Sequence, residues 1–213
     1  MGADELCEIH RRIRSEIERR LEEFREIWRS GDDERIFAEL AFCLLTPQSK
    51  ARVCWEAVEQ LRRSDLLLRG SPGEIGKFLR PVRFWRKKAR FIVMARQTFT
   101  AGGRLSIKSA LVPLVRNPFE ARRFLADRVA GLGYKEASHF LRNIGQGENL
   151  AILDRHILRG LEEFGVISVP AHLTPRRYIE IEERMRDFSK RMGIPFSHLD
   201  FVLWYRKTGE VFK

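Results

Sequence analysis

Apolar residues recur at steps of three and four from the start of the chain. Leu6, Ile9, Ile13, Ile17, Leu21, Phe24 and Trp28 fall on one face with Arg and Glu between them, which predicts a long amphipathic helix. Ser30-Gly31-Asp32-Asp33 interrupts it and can cap a second, more apolar helix carrying Ile36, Phe37, Leu40, Ala41, Leu44 and Leu45. Thr46-Pro47 reads as an N-cap followed by proline at the first helical position. A third helix is therefore expected to open there, with Gln48 at its N-terminus and Val53, Cys54, Ala57, Val58 and Leu61 inward. The same punctuation recurs at Ser71-Pro72-Gly73-Glu74 and Asn117-Pro118-Phe119-Glu120, each with glutamate in the capping-box position. Between them, Phe84 to Phe99 reads as a basic helix opening on Phe84-Trp85, with Arg83, Arg86, Lys87 and Lys88. Thr174-Pro175 starts a helix running to about Met192, and Pro195 starts the last, with Leu199, Val202 and Leu203 apolar. Period-two alternation is never sustained and no Asn-Gly or Asp-Gly turn occurs, so the expected fold is all-α with about ten helices.

The 213 residues suit one large domain or two small lobes sharing a cleft. Loops are short and none is composed like a tether, so the chain must cross compactly between lobes. With 44% hydrophobic residues the chain is no disordered tail, and a net charge of +11 calls for a polyanionic partner. Nucleic acid comes first, an anionic membrane surface second, and a merely charge-rich surface is the plain alternative. Cys7, Cys43 and Cys54 are odd in number and form no Cys-x-x-Cys pair, so reduced thiols are expected and no structural zinc or iron–sulfur site. The charged segment Met1 to His10 lacks the hydrophobic region of a signal peptide, and no run approaches the roughly 18 apolar residues of a membrane span. A protein working inside the cell is expected.

The most specific local feature is Val129-Ala130-Gly131-Leu132-Gly133-Tyr134-Lys135-Glu136-Ala137. One helix, beginning near Pro118, ends here. Another begins by Lys135 and continues through Ala137, Phe140, Leu141 and Ile144. In such a turn glycines permit positive φ and close backbone approach, Leu132 packs between the helices, and amides are left pointing outward to hold a phosphate oxygen. About one helix further on, Leu150-Ala151-Ile152-Leu153-Asp154-Arg155-His156-Ile157-Leu158 places Asp154 as an N-cap, available to a nearby cation or amine.

The hairpin Gly-x-Gly-x-Lys followed by this Asp resembles the helix–hairpin–helix DNA glycosylase superfamily. The string Gly133-Tyr134-Lys135-Glu136-Ala137-Ser138-His139-Phe140-Leu141-Arg142-Asn143-Ile144-Gly145, then Leu153-Asp154-Arg155-His156-Ile157, is similar to the compact 8-oxoguanine DNA glycosylase/AP lyase family, the second Ogg class. The resemblance extends to Trp204, to the terminal Thr208-Gly209-Glu210-Val211-Phe212-Lys213, and to Leu44-Leu45-Thr46-Pro47-Gln48-Ser49, the segment that enters the duplex in the superfamily. The endonuclease III-like branch usually carries four cysteines for a cluster after the catalytic Asp, and this chain has none beyond Cys54.

The resemblance implies a two-lobed helical fold with its active site between the lobes. One lobe would comprise residues 1–30 and 146–213, the other 31–145 with the hairpin unit at about 118–145. It implies a monomeric, bifunctional repair enzyme in the cytoplasm, at the nucleoid, that excises 8-oxoguanine from double-stranded DNA and cleaves at the abasic site by β-elimination. No cofactor is required, and the hairpin carbonyls are a candidate site for a monovalent cation. Lys135 is implied as nucleophile, its amine leaving an imine that acts as electron sink. The lysine must first lose a proton, which the helix end and burial favour and a nearby carboxylate opposes. Asp154 would assist that loss and stabilise positive charge on the sugar. Gly131 and Gly133 would hold the DNA backbone. Trp204 is the first choice for stacking on the flipped base, Phe91 the second, with Phe84 and Trp85 behind them. Gln48 would fill the gap, and Lys213 would bring an ammonium and the chain carboxylate toward the lesion. His139 and His156 stay outside the catalytic assignment, His156 as a contact residue.

Overall fold

A computed structural model describes residues 2–213, with side chains from Asp4 onward. The first apolar stripe folds as one helix, α1 (Gly2–Ser30), burying Leu6, Ile13, Ile17, Leu21 and Phe24. Asp32 stops it and caps α2 (Asp33–Leu45), accepting the Arg35 amide. α2 is buried along most of its length and runs through the core. α3 (Ala51–Arg63), α4 (Leu66–Arg69) and α5 (Pro72–Phe78) follow, with the full capping box at Ser71 and Glu74. The basic helix α6 spans Trp85–Thr98 and α7 Ile107–Leu111. α8 (Pro118–Arg128) and α9 (Tyr134–Asn143) form the hairpin unit; Asn117 caps α8 through the amides of Phe119 and Glu120. α10 (Arg155–Glu163), α11 (Pro175–Met192) and α12 (Phe196–Thr208) complete the chain.

The fold is all-α, with α1 packed along α12, and α10 and α11 joining α12 on the same side. α2 packs on α3, α6, α7 and α9, and α9 also meets α1, so the second hairpin helix is shared by both sides of the molecule.

Three local expectations change. A two-stranded ribbon, β1 (Thr100–Ala101) and β2 (Arg104–Leu105), turns on Gly102 and Gly103, both at positive φ; Gly-Gly serves a two-residue hairpin as well as Asn-Gly does. Short helices α4 and α7, too brief to show periodicity, bring the total among the described residues to twelve. Thr46 closes α2 and opens nothing: its N–H donates to the Phe42 carbonyl at 3.1 Å, its hydroxyl to the Cys43 carbonyl at 3.0 Å, and α3 begins only at Ala51. Residues 46–50 therefore form a turn, in which Gln48 stands exposed at φ +57.

That turn is held from beneath by Lys88. Its buried ammonium donates to the carbonyls of Leu45 and Pro47, both at 2.7 Å, and to the Ser49 hydroxyl at 3.2 Å. Counted in sequence among the outward cations of a basic helix, Lys88 instead satisfies carbonyls left over at the end of α2. Arg83, Arg86, Lys87 and Arg90 remain exposed.

Candidate active site

The hairpin between α8 and α9 needs glycine at Gly131 twice over. Its φ is +89, and a Cβ there would lie 2.3 Å from Cδ2 of Phe91. Gly133 is extended, at φ −100 and ψ −175, so positive φ belongs to Gly131 alone. Leu132 is buried between the helices. The Gly133 amide, expected to point outward, donates to Glu136 Oε2 at 3.3 Å. The amides of Tyr134 and Lys135, in the first turn of α9, have no intrahelical acceptor and are left for an outside one.

Lys135 is the second residue of α9, its side chain one-fifth exposed, with Nζ 2.8 Å from Glu136 Oε1. Asp154 caps α10: Oδ1 accepts the amides of His156 and Ile157, each at 2.8 Å. Both residues line one cleft of about 1040 Å³, shared with Gln48, His139, Trp204 and Lys213. The edge of the His156 ring meets Trp204, with centroids 5.3 Å apart and planes at 83°.

A buried polar network fixes Asp154 relative to the hairpin. Arg122 on α8 makes a two-point pair with Glu182 on α11, at 2.7 and 3.2 Å, both side chains 2% exposed. Glu182 also accepts the Ala151 amide at 2.7 Å, while the Tyr178 hydroxyl donates to the Ala151 carbonyl at 2.6 Å and accepts the Leu153 amide at 3.2 Å. The apolar run 150–153 is thereby tied at alternate residues, Ala151 and Leu153, and it delivers Asp154 to the cleft. Arg122 lies in a stretch rich in arginine; the need to neutralise Glu182 draws it inside, while Arg116, Arg123 and Arg128 stay exposed.

One candidate is placed elsewhere than sequence suggested, and another reaches the cleft with its ammonium already paired. Phe91 packs its ring on Gly131 beneath the hairpin and is absent from the cleft lining. Lys213 reaches the cleft, but its ammonium pairs with buried Glu39 and sits 3.6 Å from the centroid of the Trp55 ring. Burial pushes its pKa down while Glu39 opposes the shift. Glu39 in turn accepts from Asn143 Nδ2 at 3.1 Å.

Further residues at the cleft had no role assigned from sequence. Asp200 pairs with Arg142 at 2.7 Å at the base of the cleft, and burial raises its carboxyl. His139 is buried with Nε2 unpartnered; desolvation first, then Arg142 and Lys135, hold its pKa well below the ordinary range and keep it neutral. Glu136 touches Lys135 directly, and only the spacing of a capping glutamate hinted at it.

Three cysteines are free, Cys43 and Cys54 buried, and no helix among the described residues is long and apolar enough to cross a membrane.

The sequence model of the family described as 8-oxoguanine DNA glycosylase, of the helix–hairpin–helix Ogg type, matches residues 17–194. A protein of Fusobacterium nucleatum named 8-oxoguanine DNA glycosylase/AP lyase is 43% identical over 213 residues, covering 99% of this chain and 97% of its own. The crystal structure of a Methanocaldococcus jannaschii 8-oxoguanine glycosylase/lyase, in complex with a 15mer DNA containing 8-oxoguanine, superposes with a TM-score of 0.89 at 35% identity, covering 99% of both chains. That of the Thermotoga maritima 8-oxoguanine DNA glycosylase gives 0.88 at 34%, covering 99% of this chain and 98% of its own. With its lysine and its capping aspartate on one cleft, and with this likeness over nearly its full length, the chain belongs to the 8-oxoguanine DNA glycosylase family.

Proposed function

We propose that the protein flips 8-oxoguanine out of double-stranded DNA, excises it, and cleaves the strand at the abasic site by β-elimination through a Schiff base on Lys135. The observation that carries this reading is the placement of Lys135 and Asp154 on one cleft, each at a helix N-terminus, beside the hairpin. The relatives' names supply the lesion.

A base in a duplex is out of reach of any side chain, so it must leave the stack at a cost of a few kcal/mol. The exposed, left-handed Gln48 is positioned to occupy the gap it leaves. Trp204, braced by His156, offers a face for the base, with Phe212 and Lys213 lining the same cleft. Lys135 Nζ attacks C1′ as the bond to the base breaks. Asp154, fixed through Oδ1, keeps Oδ2 for the positive charge that develops on the sugar. The DNA backbone is held by the amides that begin α9 and by the exposed arginines. Among the hairpin carbonyls, those of Val129 and Gly133 accept the amides of Leu132 and Ala137, and each keeps a second lone pair. A monovalent cation held there would add positive charge toward a phosphate.

Borohydride present during turnover on an 8-oxoguanine duplex should trap a covalent protein–DNA adduct. The adduct should vanish in Lys135→Gln while DNA binding persists; undiminished trapping in that variant would sink the lysine assignment. Comparing cleavage of duplexes carrying 8-oxoguanine, uracil or an abasic site tests the lesion. Binding without cleavage of any of them would mark a DNA-binding module with no chemistry.

A further inference from the structure

Glu136 makes two contacts at once. Oε1 lies 2.8 Å from Lys135 Nζ, and Oε2 accepts the Gly133 amide at 3.3 Å. The second contact ties the carboxylate to the first turn of α9. The side chain is 14% exposed, which limits solvent screening of the pair. Among the described residues no other carboxylate lies within 4.0 Å of Nζ.

The other titratable groups facing the pair are Cys43 on α2, Cys54 on α3, Lys88 on α6, His139 on α9 itself and Asp154 ahead of α10. Burial raises both thiols, Cys54 to about 11, and desolvation lowers His139, so none of these three carries charge near neutral pH. The Lys88 ammonium is satisfied by its three acceptors and has no lone pair to offer. Asp154 is tied to the amides of α10.

We propose that Glu136 is the proton acceptor for Lys135 in Schiff-base formation, a role that rests on the reading of Lys135 as nucleophile. At an abasic site the Nζ ammonium passes a proton to Glu136 Oε1. The freed lone pair forms the N–C1′ bond with the sugar aldehyde, and a proton moves from nitrogen to the former carbonyl oxygen. The proton on Glu136 then returns to that hydroxyl, which departs as water and leaves the iminium ion and the carboxylate. Asp154 is left with the charge on the sugar, a division of labour between two carboxylates.

Glu136→Gln tests this, because glutamine at this position still accepts the Gly133 amide. The rate of borohydride trapping on a duplex with a pre-formed abasic site is measured from about pH 5.5 to 9.5 in the parent, Glu136→Gln, Glu136→Asp and Lys135→Gln. Glu136→Gln is expected to trap at least ~10-fold more slowly near pH 7, the deficit closing as the pH rises and solvent takes the proton. Glu136→Asp should recover part of the rate, and affinity for a duplex carrying an uncleavable tetrahydrofuran site should stay within about twofold across the series. Trapping by Glu136→Gln as fast as the parent, or faster with the acid limb moved to lower pH, overturns the proposal, since the carboxylate would then only store the lysine as ammonium. Equal loss in Glu136→Gln and Glu136→Asp with lowered melting temperatures also overturns it, in favour of a cap. Undiminished trapping in Lys135→Gln overturns the lysine reading itself.

Discussion

Asp154 caps α10 and, in the mechanism proposed above, serves the chemistry with the same carboxylate. Asparagine caps a helix about as well as aspartate, so Asp154→Asn separates the two roles. The melting temperature should move little, while excision of 8-oxoguanine falls by ~10²-fold or more. Unfolding instead would mean that capping was its main contribution. Lys88 teaches the opposite lesson: a cation in a basic stretch that never meets solvent. In Lys88→Met the Pro47 carbonyl loses its donor and the Leu45 carbonyl keeps only the weak Cys54 thiol, at a cost of about 1–3 kcal/mol in chemical denaturation. The turn presenting Gln48 should loosen, so excision from duplex should drop more than cleavage at a pre-formed abasic site.

At the scale of elements, the hairpin unit is held by packing on one side and by a buried ion pair on the other. Gly131→Ala meets both a positive φ and the Phe91 ring, and should destabilise by roughly 2–3 kcal/mol. Combined with Phe91→Leu, the loss in urea unfolding should be less than additive, because the smaller side chain makes room for the methyl group. The Arg122–Glu182 pair joins α8 to α11 and to the run before Asp154. Glu182→Gln leaves a buried guanidinium without its counter-charge, a loss of about 3–5 kcal/mol. Since the same carboxylate holds the Ala151 amide, excision should fall in whatever fraction remains folded, which single-turnover kinetics at low temperature can read.

For the whole molecule, the +11 charge sets affinity for any DNA and tells little about which base is chosen. Binding should weaken with salt, and replacing exposed Arg83, which lines the cleft, with alanine should lower the log–log slope by about 0.9 if it meets one phosphate. The packing of α1 along α12 also carries a pH-sensitive seam. His10 on α1 and His198 on α12 touch through their ring nitrogens at 3.0 Å, near Arg14, Glu18 and Glu148, and desolvation lowers His198 to about 4. The unfolded chain, with histidine near 6.5, binds the proton first, so stability is full above that value and declines as the pH falls toward 4. Between pH 7 and 4.5 the melting temperature should fall by roughly 2–4 °C more than in His198→Gln.

Local periodicity and spacing along the chain specify the long helices, most of their caps and the hairpin, while Lys135 and Asp154 stand out as a pair only through the family resemblance. Leu132 could be placed between helices from its neighbours alone. Tertiary structure decided which polar side chains turn inward, because a buried charge is tolerated only opposite a partner far away in the chain. Lys88 and Arg122 look like surface cations until Leu45 and Glu182 are brought beside them, and the Lys213 ammonium, expected at the lesion, pairs with Glu39. Phe91, a base-stacking candidate in sequence, goes to the hairpin because glycine at position 131 leaves room for its ring. Glu136, one residue from the lysine, went unnoticed for a related reason: contact with Nζ depends on how the first turn of α9 aims two side chains, and spacing does not encode that aim.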